Sequence, residues 1–184
     1  MLNLSTEIVS VITLLTILIL SAIIDVRTQK IPNIITYSSM LAALCLHTAN
    51  NGMSGLIFSL KGIAAGIALL IVPYMMSGMG AGDAKLMGVV GSFLGAKETF
   101  EAFLLIGVCG GVYSVALILI RREMFKGFLS EKIVLLTSIV LLKQYKPLET
   151  KTSRQRPRIK YGVAIAFGTI TYLFLKSVGI KLFV

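Results

Sequence analysis

Long uncharged apolar runs fix what this chain can fold into. Residues 8–24 and 102–120 contain no Asp, Glu, Lys or Arg, and each is long enough to cross or nearly cross a bilayer. Of the 184 residues 56% are hydrophobic and 14% charged, where a soluble domain carries about a quarter charged residues. A water-soluble globule, a disordered tail and a disulfide-stapled secreted domain are excluded. Cys45 and Cys109 lie in apolar runs without CxxC spacing, so neither a zinc site nor a disulfide framework is expected. The first seven residues hold no Lys or Arg. They lack the basic start of a secretory signal peptide, and the first run is expected to be a retained span.

Six spans are expected, over residues 8–24, 31–49, 56–76, 83–95, 102–120 and 161–180. The fold class is therefore all-α: a polytopic membrane helix bundle forming a single domain over 1–184. Pro32 stands where the second helix starts, a position that suits its missing N–H. The fourth span is short, rising about 20 Å against a hydrocarbon core of about 30 Å; it is expected to begin earlier, near Met79, or to sit in thinned bilayer.

Charge sets the orientation. The net charge of +10 reads as topology information in a chain this apolar, not as a nucleic-acid footprint, because basic loops stay cytoplasmic. Segments 25–30, 78–85 and 121–160 carry 14 of the 18 Lys and Arg residues, and six spans place all three on one side. That side is expected to be cytoplasmic, with both termini outside. The long loop at 121–160 contains an uncharged run at 133–142, too short to span and expected to be interfacial. Its basic residues are suited to anionic lipid headgroups or to plain solvation. Glycine pairs at Gly62/Gly66, Gly91/Gly95 and Gly107/Gly111 have the spacing that lets helix backbones approach in lipid, and are expected to pack within one bundle.

Among eight acidic residues, Asp25 and Asp83 stand at the cytoplasmic ends of spans one and four. Ionisable groups at a bilayer boundary are costly and call for a functional reading. Two adjacent carboxyls share a proton, leaving one as base and the other as acid. Such a pair activates water against a peptide carbonyl without a metal or cofactor. Otherwise each would merely cap a helix or pair with Arg27 or Lys85. Around Asp25 the sequence runs Asp-Val-Arg-Thr-Gln-Lys-Ile-Pro-Asn; Asp83 follows Gly78, Gly80 and Gly82. Glycine lets another chain approach closely, which suits an extended peptide beside the acid. A phosphate cradle is rejected, because no strand precedes the run and the dinucleotide spacing is absent.

These two stretches resemble the type IV prepilin peptidases, bacterial membrane aspartic peptidases with a Gly-x-Gly-Asp motif. The matching residues are Asp-x-Arg…Ile-Pro-Asn at 25–33 and Gly-Ala-Gly-Asp-Ala-Lys at 80–85. The resemblance implies that Asp25 and Asp83 are the catalytic dyad, with Arg27, Pro32, Asn33, Gly80, Gly82 and Lys85 shaping the site or contacting substrate. It implies cleavage of the short basic leader of prepilins or pseudopilins, after its final Gly, at the cytoplasmic face of the bacterial inner membrane. No CxxC pair or preceding cytoplasmic domain is present, so the short form without N-methyltransferase activity is expected. A presenilin-like intramembrane aspartyl protease and a small ion-coupled transporter with an acid pair are the alternatives.

Opposed helix ends suggest roles. Asp83 at a helix N-terminus would favour the carboxylate, and Asp25 at a C-terminus would hold the shared proton. His47 is expected to be interfacial, Lys61 to snorkel outward, Glu98 and Glu101 to be solvated, and Tyr74 and Tyr161 to anchor at the interface.

Overall fold

The computed structural model describes residues 4–28, 30–75, 79–120 and 161–179. The chain divides into two compact units, Met1–Gly110 with Lys160–Val184, and Gly111–Ile159. Both acids, with Gly80, Gly82 and Gly162, belong to the first. The basic loop at 121–160 and its apolar run at 133–142 lie outside the described residues.

All the described secondary structure is helical: α1 (Leu4–Thr28), α2 (Asn33–Met75), α3 (Ala81–Ile120) and α4 (Tyr161–Ser177). Three stretches, Glu7–Thr28, Asn33–Met75 and Ala81–Ala116, are long and apolar enough to cross a membrane, and Tyr161–Ser177 is a shorter apolar helix. Many large apolar side chains point outward, among them Ile12, Ile19, Leu41, Val108 and Phe167, as expected where the solvent is lipid.

Two of the helices are broken. α2 breaks at Gly52 (φ 57°, ψ −137°) and α3 at Gly95 (φ 76°, ψ 172°), backbone conformations that glycine reaches without a Cβ penalty. Each break turns the chain back: a Cβ on Gly55 would stand 2.0 Å from the His47 carbonyl oxygen across the Gly52 bend. Carbonyls at the bend find side-chain donors, Ser54 Oγ to Asn51 O at 2.6 Å and Asn50 Nδ2 to Leu46 O at 2.7 Å, which answers the helix-end requirement. The described residues thus form six helical segments, and their bounds follow the six apolar runs of the sequence. The fourth begins at Ala81, between the two starting points expected for it.

Segment 81–94 is the centre. Residues 86–95 are buried without interruption, and the second arm of α2, 53–75, lies directly on it. A Cβ on Gly62 would stand 1.9 Å from Gly91 O, one on Gly91 2.0 Å from Gly62 O, and one on Gly66 2.2 Å from Met87 O. The backbones touch. Small residues permit such contact in lipid, where close packing and polar contacts replace hydrophobic driving force. Ser59 Oγ adds a buried hydrogen bond to Ser92 O at 2.9 Å. The glycine pairs therefore differ: Gly62, Gly66, Gly91 and Gly95 are packed, whereas among the described residues nothing lies within 4 Å of a Cβ built on Gly107 or Gly111.

α4 lies antiparallel to the second arm of α3. Lys176 pairs with Glu98 at 2.6 Å, Tyr172 Oη donates to Glu101 at 3.2 Å, Gly168 seats on Ile106, and Ala164 meets Gly110. Glu98 and Glu101 are consequently held by α4 and not merely solvated. His47 is 1% exposed, its ring 5.1 Å from that of Phe58; it is a core side chain, because the Gly52 bend folds the second arm over it. Lys61 is exposed.

The backbone contact predicts an asymmetry among glycines. Gly62→Ala and Gly91→Ala each force the helices apart and cost about 1–3 kcal/mol by overpacking. Gly107→Ala has open space, so its helix propensity leaves stability unchanged or slightly raised. Loss of monodisperse protein on heating in detergent measures the difference.

Candidate active site

Asp25 arrives at the site through helical spacing. Ser10, Leu14, Leu18, Ser21 and Asp25 are the buried positions of α1, steps of four and three that form one inward stripe. The carboxylate is therefore the last member of a packing face, 6% exposed. Asp83 is placed in the same way. It shares a face with Met87, Val90 and Leu94 in a segment that is buried on every face from residue 86 on, and it is 9% exposed.

Local bonding fixes Asp83 further. Gly80 precedes the first helical residue, and its carbonyl accepts the Asp83 N–H at 3.1 Å. The Asp83 carboxylate reaches back to accept the Gly80 N–H at 3.0 Å, an acidic counterpart of the capping box. Asp25 and Asp83 lie close enough for their charges to act on each other, although 57 positions separate them in sequence. The amino end of α4 completes the surroundings. A Cβ on Gly162 would stand 2.8 Å from Asp25 Oδ2 and 3.1 Å from its Cβ and Cγ, so the carboxyl group lies against bare backbone.

Comparison with known proteins assigns the chain to a family. The model of the type IV leader peptidase family matches residues 12–115, a stretch containing both acids. The chain belongs to the type IV leader peptidase family. A prepilin leader peptidase/N-methyltransferase of Bacillus subtilis (strain 168) is 31% identical over 125 residues, covering 65% of this chain and 49% of the relative. The chain thus spans about half the length of that curated relative. No solved structure matches it.

Within this leader peptidase family member the remaining motif residues take distinct places. Gly82 packs: its Cβ would meet Ile31 Cβ at 3.2 Å, so its smallness admits the 30–32 linker. Gly80 is exposed, and only Gly82 and the Asp83 carboxylate lie within 4 Å of a Cβ built on it; it is the open glycine beside the acid. Pro32 precedes α2, and its carbonyl accepts the N–H groups of Ile35 and Thr36 at 3.2 and 3.4 Å. Lys85 does not turn to an acid. Its Nζ donates to Asn33 Oδ1 at 2.7 Å and stands 5.1 Å from the Tyr37 ring centroid, tying the start of α2 to that of α3. Arg27 is exposed in the last turn of α1.

Sequence reasoning missed Gly162, Ile31 and Tyr37. Gly162 was within reach, since the sixth run begins on the side assigned to both acids. The helix-end argument for the proton also changes. Asp25 lies near the carboxyl end of α1 but against the amino end of α4, so opposed dipoles act on it and no longer separate the two acids. Among the described residues no group of three His, Cys, Asp or Glu side chains converges.

Lys85 and Asn33 should be coupled. In a double-mutant cycle of Lys85→Met with Asn33→Ala, detergent stability should show an interaction of about 0.5–1 kcal/mol. Strictly additive losses would mean the contact holds nothing together.

Proposed function

We propose that this chain is a membrane aspartic endopeptidase that removes the short basic leader of type IV prepilins or pseudopilins, after the leader's terminal Gly. The observation that supports this reading is that two buried carboxyls, Asp25 at the end of α1 and Asp83 at the start of α3, lie within electrostatic range of each other. One acts as base, taking a proton from water as its oxygen attacks the scissile carbonyl. The other, protonated, donates to the carbonyl oxygen. Collapse of the tetrahedral intermediate breaks the C–N bond: the leaving amine takes a proton from one carboxyl, and a hydroxyl of the intermediate returns one to the other, restoring the shared proton.

In this reading α2 and α3 each cross the bilayer twice, folding back at Gly52 and Gly95, which gives six crossings in all. The ends of α1 and α3 then face the cytoplasm beside the basic segments, in keeping with the charge bias, and both termini face outward. Segment 81–94 rises only about 21 Å and is shielded by its neighbours, so its length does not have to match the lipid. A pilin leader would approach past exposed Gly80, with the pilin's hydrophobic helix remaining in the membrane. The basic loop at 121–160 is suited to anionic headgroups.

Detergent-solubilised protein incubated with a prepilin should yield the shortened product without added metal and in the presence of chelator. Asp25→Asn and Asp83→Asn should each lower kcat by at least about 100-fold. Because the pair works with one proton, kcat/KM should be bell-shaped in pH, falling when both acids are protonated and when both are ionised. Cleavage inside the hydrophobic helix would favour the presenilin-like alternative. Ion flux in proteoliposomes without hydrolysis would favour transport.

A further inference from the structure

α4 contributes no acid, base or motif residue, yet it reaches the reacting side of the molecule at one point. Gly162, its second residue, is buried, and the three atoms nearest to a Cβ built there all belong to Asp25: Oδ2 at 2.8 Å, Cβ and Cγ at 3.1 Å. No side chain fits this space without displacing the carboxyl group, because real Cβ contacts do not occur below 3.0 Å. Three further features hold α4 where it is. Lys176–Glu98 and Tyr172–Glu101 fix its far end, and Gly168 lies so close to Ile106 that a Cβ would meet its Cα at 2.6 Å. Sliding or rotation of the helix is resisted at three levels, and α4 also packs along α1.

We infer that Gly162 is a positioning residue for catalysis, the seat that sets where the Asp25 carboxyl stands relative to Asp83. This rests on the peptidase reading for its kinetic consequence, but not for its geometry. Gly162 has no side chain to react; it acts by leaving room. A dyad sharing one proton depends on the separation and orientation of its two carboxyls; a displacement of about 1 Å costs on the order of 100-fold in rate, and the few tenths of an ångström that a Cβ on Gly162 demands of Asp25 costs a smaller part of it.

The test uses the full chain in detergent with a prepilin, comparing wild type, Gly162→Ala, Gly162→Val and the open-space control Gly107→Ala. Expected is a fall in kcat of about 10-fold for Gly162→Ala and of about 100-fold for Gly162→Val. KM should stay within about twofold, thermal stability of the Ala variant should hold, and its pH–rate profile should move. The control should cleave as wild type. A structural defect alone would reduce the folded fraction in step with kcat and leave the profile in place, and that result overturns the inference. So does wild-type kcat in Gly162→Ala. A second readout needs no turnover: the infrared carboxyl band lost in Asp25→Asn should shift in Gly162→Ala, and an unmoved band overturns the inference. If wild type fails to cleave while this band shifts, the peptidase reading falls and the seat for Asp25 stands.

Discussion

Contact between the backbones of Gly62 and Gly91 is the constraint on which the rest of the structure depends. Helices in lipid gain little from burying apolar surface against one another, so they associate through close packing and polar contacts. Here the carbonyl of each glycine sits where the other's side chain would be. The contact brings the second arm of α2 onto segment 81–94 and lets that short segment disappear into the interior. A segment buried on all sides can end well below a bilayer's thickness. Its first turn keeps Ala81 exposed while Asp83 is turned inward and buried.

Most of this was legible in one dimension. The six apolar runs became six helical segments because backbone groups in lipid must bond within their own helix, which ties helix length to run length. The stripe Ser10, Leu14, Leu18, Ser21, Asp25 could be read at helical spacing, and it carries the acid inward. The glycines were harder. Gly62 and Gly107 have the same i, i+4 partner spacing, yet one is packed against backbone and the other has open space. Spacing states that a helix can be approached, not what approaches it.

Polar residues far from the acids resisted prediction for a related reason. His47, Glu98 and Glu101 lie near chain reversals, where sequence suggests exposure. The reversals at Gly52 and Gly95 are tight enough to bring neighbouring segments over them, so His47 is covered by Phe58 and the two glutamates meet α4. Lys85 stands two residues after Asp83, but positions i and i+2 on a helix face different ways, and Lys85 turns to Asn33 on the neighbouring helix.

The antiparallel fit of α4 on α3 has a consequence for how this protein can vary. Between Tyr172 and Gly162 the helix works as a ruler, one end anchored by a phenol and the other delivering an empty space to a carboxyl group. Each residue added or removed between them turns the amino end by about 100° and shifts it by about 1.5 Å. Side chains along that stretch can be exchanged within their volume, but its length cannot drift without carrying the gap away from Asp25.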